Sequence, residues 1–513
     1  MSDIETFKIE AEKICARERF IIDRERLDKL MESTLGVGRN IAAAAFPAST
    51  REVVELVKLA NRTQTFLYPV SRGRNVGYGD RQPVENEHVL VDLSEMDAVR
   101  EYDSQLGQVV IEAGVTQQQL FEFLRSHDSP YWMDTTGAGK EASIAGNTLE
   151  GGFGHTPLGN HREGFTDAEI VLGDGSLLHT GRFPGLGPDL KGMFVQSNYG
   201  IVTAMRIDLF RAPEHFESFV LRTDDSQGLP ELVDRLRILR QENVVTSCVH
   251  LANPMRYFIS SRPFPENYRH TVMTDEDAVE LMSSKLMPVG RWNAAGGLYG
   301  LRGSVEAHKR RILEAFKGLA SIKFFSDATV ARLKRTTGIL SRLGVPGGKR
   351  LFESLESFEQ IHGLMKGIPS DEAYKNITWR APDYQSLGLI WFAPTMDATG
   401  ENAALTISLA QPLFAKYGFE MPLTMTLVTA DRIVAIFNIA FDKTDNDQTN
   451  KAHKLYHALQ DKFEKNGITT YRSSIMGMKS LRHPQKGRQE TLDRLKRALD
   501  PEGVLAVKRY GIG

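Results

Sequence analysis

Apolar and polar positions alternate along the 513-residue chain with periods that mark out most of its elements. The opening stretch "MSDIETFKIEAEKICARERF" is charged throughout and predicts an N-terminal helix. In "ASTREVVELVKLANRT", Ser49 and Glu52 stand at capping-box spacing and Val53, Leu56, Val57 and Ala60 share one face. That pattern predicts an amphipathic helix of about 12 residues. A β-like run, Thr65 to Val70, then breaks into glycines interleaved with polar residues. "HVLVDLS" (88–94) and "QVVIEAGV" (108–115) read as strands, and Thr116 is placed to cap the helix "QQQLFEFLRSH". "DAEIVLGDGSLLHTG" (167–181) predicts a hairpin turning at Gly173-Asp174-Gly175, and "GIVTAMRIDLF" (200–210) a further strand.

The pattern changes beyond Arg211-Ala212-Pro213. "GLPELVDRLRILRQE" and "SVEAHKRRILEAFKGL" are amphipathic, with the strand-like "GGLYGLRG" (296–303) between them. "GLIWFAPT" (388–395), a helix near 402–417 and "MPLTMTLVTADRIVAIFNIAF" (421–441) repeat a strand–helix–strand order, and a helix at 447–466 closes the set. Such a succession predicts an antiparallel sheet covered by helices. The tail "GRQETLDRLKRALDPEGVLAVKRYGIG" reads as a helix stopped by Pro501 and Gly503, then a short extended end. The expected class is α+β. Residues 1–34 form an N-terminal helical segment, 35–215 and 216–469 two α+β units, and 470–513 a C-terminal segment.

Composition narrows this only a little. The length exceeds one ordinary core, and 41% hydrophobic with 25% charged residues is a globular composition. A formal charge of -2 gives no electrostatic pull toward nucleic acid or an anionic membrane. No run reaches the roughly 18 apolar residues of a membrane helix, and the first residues lack a signal peptide's apolar core. Cys15 and Cys248 are too few for a disulfide framework or a metal cluster and read as buried, inert thiols. No metal site is expected, and a reduced cytoplasmic setting is.

Two glycine-rich segments carry the candidate chemistry. In "SRGRNVGYG", Gly73, Gly77 and Gly79 let backbone N–H groups approach an anion, Arg72 and Arg74 add charge, and Ser71 and Asn75 add neutral donors. No Lys-Ser or Lys-Thr pair follows, which excludes a nucleoside-triphosphate loop. An ordinary glycine-rich turn has the same spacing, so the pattern alone leaves both readings open. The second segment, 135–164, is polar and glycine-rich with little periodicity, and a long loop of this kind is usually functional. Its small residues, among them Ala142, Ser143, Ala145, Gly146 and Asn147, suggest backbone packed against a large flat ligand.

Taken in order, "PVSRGRNVGYG", "VVIEAGVTQQQL", "IAGNTLEGGFGHTPLGNH" and "FVQSNYGIVTAMRIDLF" resemble the FAD-binding domain of the vanillyl-alcohol oxidase and p-cresol methylhydroxylase family. "LDPEGVLAVKRYGI" resembles that family's C-terminal return to the flavin domain. The resemblance covers nearly all of 35–215 and the tail, and the middle more loosely. It implies a two-subdomain FAD-binding domain of the p-cresol methylhydroxylase type under an α+β cap that encloses a small-molecule substrate. By this resemblance FAD is held by Pro69, Val70, Ser71, Arg72, Gly73, Arg74, Asn75, Thr136, Gly137, Ser143, Gly146, Asn147, Gly152, His155, Gly200, Ile201, Val202 and Arg509. Electrons pass to O2 or to an acceptor protein, and homo-oligomers are known among relatives.

Relatives acting on phenols hold the phenolate oxygen with two tyrosines and an arginine, and here Tyr78, Tyr471 and Arg472 fill those places. A free phenol has a pKa of about 10, and a cation with two hydroxyl donors lowers it. The resemblance implies oxidation of a para-substituted phenol, at a benzylic alcohol or an alkyl or allyl side chain. Hydride would go to FAD N5 through a quinone-methide-like intermediate. Two departures stand out. The family's aspartate beside the flavin is Asn160, which as a catalytic-site residue can hydrogen-bond near N5 but cannot act as a base, so His155 or His161 is left to substitute for it or to serve as a buried hydrogen-bonded histidine. "TLVTADRIVAIFNIAF" (426–441), comparable to the tethering strand of many relatives, has no His, Tyr or Cys, which implies non-covalent FAD. Oxidation of another alcohol such as a 2-hydroxy acid, with Arg472 on its carboxylate, and a non-catalytic electron-transfer subunit are the alternatives.

Overall fold

The computed structural model describes residues 3–182, 185–282, 289–374, 377–481 and 486–513. The opening helix spans Ile4–Cys15 and buries Phe7, Ala11 and Cys15. The helix Thr50–Thr63 is capped by Ser49, whose hydroxyl accepts from the Glu52 N–H at 3.3 Å, and its four apolar positions are fully buried. Glu52 does not complete the box on Ser49. Its carboxylate accepts from the Ala48 N–H at 2.9 Å and holds Arg19 at 2.6 Å.

Three sheets carry the fold. A four-stranded sheet runs Phe20–Ile21, Ile41–Ala45, His88–Asp92, Leu67–Val70, with the last three parallel. Beside it lies a five-stranded antiparallel sheet in the order Val99–Asp103, Gln108–Glu112, Gly200–Asp208, Phe165–Leu172, Leu177–His179. The hairpin expected at 167–181 forms its outer edge. The third sheet is nine-stranded and antiparallel, and includes His215–Thr223, Trp292–Gly300, Val249–Ala252, Leu423–Leu427, Arg432–Asp442 and Leu387–Phe392. Helices Leu229–Gln241, Gly400–Tyr417 and Asn446–Glu464 pack together against it. The class is therefore α+β.

The tail returns to the first sheet. Leu67 and Leu505 pair as a parallel bridge, and the Asn198 amide donates to the Ala506 and Ile512 carbonyls at 3.0 and 3.1 Å. Lys496, buried against Asp500 at 2.6 Å, donates to the Asn198 and Leu505 carbonyls.

Some expectations shift. The strand read at 296–303 spans Trp292–Gly300, because Gly300 turns at φ 141° and Leu301 caps the next helix. The run 388–395 splits into Leu387–Phe392 and Pro394–Asp397, and 421–441 is a hairpin of two strands. The segment 135–164 holds a short helix, Ile144–Leu149. Ser143 caps it, accepting from the Gly146 N–H at 2.9 Å and donating to the Ala113 carbonyl at 2.7 Å. Both cysteines are buried, and burial pushes each thiol up to about 12.

Candidate active site

One cavity opens between the first two sheets and the third. It is lined by all the residues the resemblance implied for FAD, together with Tyr78, Tyr471 and Arg472. Asn160 stands outside that lining. Its amide donates to Glu163 at 2.9 Å and its oxygen accepts from the Arg162 N–H at 3.3 Å, closing a local turn.

The loop after Leu67–Val70 owes its shape to glycines. At Gly77, φ is 77° and an added Cβ would lie 2.0 Å from the Trp391 ring. Trp391 also donates its indole N–H to the Val76 carbonyl at 2.9 Å and its backbone N–H to Gly77 at 3.1 Å. A strand of the third sheet thus clamps the loop and fixes Tyr78. The Tyr78 carbonyl accepts from the Ile475 N–H at 3.0 Å, which ties the loop to the segment bearing Tyr471 and Arg472.

Tyr471 stands close enough to Tyr78 to act on its phenol, and the Arg472 guanidinium sits 4.5 Å from the centre of the Tyr78 ring. Arg472 Nη2 donates to Asn75 Oδ1 at 2.5 Å. Burial, reinforced by Tyr471, pushes the Tyr78 phenol well above its ordinary value, so it remains a hydroxyl donor at neutral pH. For Arg472, the downward push of burial is outweighed by Glu150 and the tyrosines, and its charge is retained. Two tyrosines and a cation therefore stand side by side on the lining of the cavity, a donor set suited to an oxygen anion.

Glu150 organises this cluster, and no periodic pattern in the sequence marks it. It is 6% exposed and takes hydrogen bonds from Arg509 and the Tyr510 hydroxyl, with Arg472 Nε at 3.5 Å. Burial pushes its carboxyl up, but Arg509 and Arg472 together bring it below the ordinary value, so it is ionised. Two guanidiniums and one carboxylate leave this buried cluster with one positive charge.

The remaining loop residues divide by role. Arg72 donates to the Ser94 and Gly114 carbonyls at 3.4 and 3.1 Å, so it braces the loop, while Arg74 is exposed. Gly146 faces Ser71 so closely that a Cβ would lie 3.1 Å from the hydroxyl oxygen, and at Gly137 a Cβ would meet nothing within 4 Å. The Nε atoms of Arg472 and Arg509 are buried without a hydrogen-bond partner among the described residues. Backbone thinned by glycine, the net positive charge of the Glu150 cluster and apolar walls such as Leu93, Ile201 and Leu505 fit a large, flat, anionic cofactor.

Two histidines line the same space, their rings 4.6 Å apart. His155 Nδ1 lies 2.9 Å from the Thr135 carbonyl, which can only accept, so Nδ1 carries the hydrogen and Nε2 a lone pair. His161 is held between Asp134 at 3.1 Å and Asn147 at 2.7 Å and is not part of the lining. His250, unmarked in the sequence, bonds Thr426 at 3.0 Å, and its Nε2 has no partner among the described residues. Burial, then His155, Arg256 and Arg240, hold its pKa well below 6.5.

That shift predicts a pH effect on stability. The unfolded His250 takes up a proton as pH falls through about 6.5 and the folded one does not, so stability declines below that pH by up to about 1.4 kcal/mol per unit. Asp80 and Asp275, each pushed up to about 6 by burial, act in the opposite sense. The comparison is therefore with His250→Gln, whose thermal midpoint should fall less than the wild type's between pH 7.5 and 5.5. Parallel midpoints over that range would contradict it.

Residues 41–181 match a family model described as an FAD binding domain. The flavoprotein subunit of 4-cresol dehydrogenase [hydroxylating] from Pseudomonas putida is 27% identical over 92% of this chain and 88% of its own length. The 1'-carboxy-chondrochloren decarboxylase of Chondromyces crocatus is 27% identical over 93% of this chain and 92% of its own. A crystal structure of p-cresol methylhydroxylase with substrate bound superposes with a TM-score of 0.87 at 24% identity, covering 99% of this chain and 96% of that one.

Proposed function

Because this chain is an FAD-linked oxidoreductase of the vanillyl-alcohol oxidase / p-cresol methylhydroxylase family, we propose that it oxidises a para-substituted phenol at a benzylic alcohol or along an alkyl or allyl side chain. The observation that carries this reading is the grouping of Tyr78, Tyr471 and Arg472 side by side on the lining of one cavity. Bound there, a phenol gives up its proton, and the anion is stabilised by the two hydroxyls and the guanidinium. The positive charge left over on the Glu150 cluster favours the same ionisation. Negative charge on the ring oxygen raises electron density at the para carbon, which eases loss of two electrons and the benzylic hydrogen and leaves a quinone-methide-like substrate. FAD, when bound, supplies the two-electron acceptor; the loop 69–75, the backbone at 136–146 and 200–202, and Arg509 would hold it. The Pseudomonas relative, named for activity on 4-cresol, supports the substrate class. O2 or an acceptor protein takes the electrons onward.

The cofactor is proposed to be non-covalent. Strand Arg432–Asp442 has no His, Tyr or Cys, and the hydroxyl of Tyr374, which does line the cavity, donates to the Ala138 carbonyl at 2.8 Å. Acid precipitation of the purified protein should leave the yellow colour in solution. Anaerobic mixing with para-alkyl phenols should then bleach the flavin, and mixing with 2-hydroxy acids should not. Bleaching by a 2-hydroxy acid alone would overturn the substrate class, and a yellow pellet the mode of attachment.

A further inference from the structure

The cavity holds a second cationic station that the phenol site does not use. Helix Pro254–Ser261 begins at Asn253, whose side-chain oxygen accepts from the N–H groups of Arg256 and Leu423 at 3.0 and 2.9 Å. These bonds pin the backbone of Arg256, and its side chain lines the cavity. The guanidinium donates to the Ser260 hydroxyl, a neutral group. Among the described residues it makes no ion pair, unlike Arg472 and Arg509 on Glu150 or Arg380 on Glu420. Asp275, the first residue of the neighbouring helix Asp275–Met282, is occupied by the Met255 N–H at 3.0 Å and the Asn253 amide at 3.1 Å. Burial alone lowers Arg256 to about 10, so it is charged at neutral pH. A cation desolvated without a counter-ion is costly unless a ligand supplies the charge.

Resting on the phenol reading above, we propose that Arg256 receives a carboxylate on the substrate's para side chain, so that the preferred substrates are para-hydroxyphenyl acids. A single planar guanidinium matches one carboxylate bidentately. Its neighbour His250 is uncharged at neutral pH and adds no second cation for a dianionic phosphate. Arg472 reaches the cavity from the tail segment, against the Tyr78 ring, and Arg256 reaches it from helix Pro254–Ser261, so the two arginines enter from different elements, one for each end of an elongated substrate.

The test uses the flavin-loaded enzyme with a para-hydroxyphenyl alkanoate and its primary amide, alike in length and differing in charge. Binding is read from the perturbation of the oxidised flavin spectrum, and reduction from anaerobic bleaching. The wild type should bind the acid about 10- to 100-fold more tightly than the amide, the range for a charge-assisted pair. Arg256→Met should bring that ratio close to one. Arg256→Gln serves in its place if the methionine variant does not fold, and Arg256→Lys should keep part of the preference. Equal binding of acid and amide by the wild type, or a ratio unchanged in Arg256→Gln, overturns the proposal. So does loss of FAD from these variants with an unchanged ratio, which would give Arg256 to the cofactor. If neither compound bleaches the flavin, the phenol-oxidation reading fails, while Arg256 is still judged on the binding ratio.

Discussion

Glu150→Gln is expected to destabilise the protein by about 3–5 kcal/mol and to lower its FAD content, the largest effect of any single change considered. The side chain is nearly isosteric, so the effect comes from charge. Glu150 is buried and faces Arg509, Tyr510 and Arg472 together. With the carboxylate gone, two buried guanidiniums lose their counter-ion, and the glutamine amide turns a donor toward other donors. Arg509 also reaches the Pro69 carbonyl at 3.2 Å and lies 5.3 Å from the Tyr68 ring centre, so the disturbance spreads to the loop that lines the cofactor space. Thermal midpoint and flavin-to-protein ratio read the two effects. A midpoint within about 2 °C of the wild type, with full flavin, would show that Glu150 is not the counter-ion of this cluster.

Arg472→Gln is expected to slow flavin reduction by a para-alkyl phenol about a hundred- to a thousandfold, the cost of removing one preorganised charge stabiliser. Its pH dependence is the sharper signature. In the wild type the bound phenol ionises well below its free pKa, so reduction is nearly flat above neutral pH. Without the guanidinium, the rate should climb with pH toward the free phenol's value of about 10. A loss confined to weaker binding, with an unchanged limiting rate and flat profile, would assign Arg472 to simple positioning. Tyr78→Phe and Tyr471→Phe remove neutral donors and should each cost less.

Much of the fold was legible because its periods are local. The helix Thr50–Thr63 and the Thr116 cap of the helix after it follow from spacing within one or two turns, whereas the box expected of Ser49 with Glu52 does not close. The parallel pairing of Leu67–Val70 with His88–Asp92, and the return of Leu505 beside Leu67, depend on contacts between distant segments that no local pattern encodes. The site divides the same way. Tyr78 is visible as the aromatic residue between glycines, and the Tyr471-Arg472 pair through the resemblance. Glu150 is a lone acid in a glycine-rich run and gains meaning only when two arginines from the tail close on it. Arg256 and His250 sit on a cap helix and strand among ordinary residues, so only the folded cavity distinguishes them. Asn160 was singled out by its place in a motif, and its side chain is instead consumed by the turn it closes.

Oxidation at this site depends on an ionisable phenol oxygen held by Tyr78, Tyr471 and Arg472. The most direct measurement mixes the flavin-loaded enzyme anaerobically with a para-alkyl phenol and, separately, with its O-methyl ether, which keeps the ring and chain but cannot ionise. The phenol should bleach the flavin, and the ether should do so at least about a thousandfold more slowly, since its oxygen leaves the site's buried polar groups unsatisfied. An ether that reduces the flavin as fast as the phenol would contradict the account.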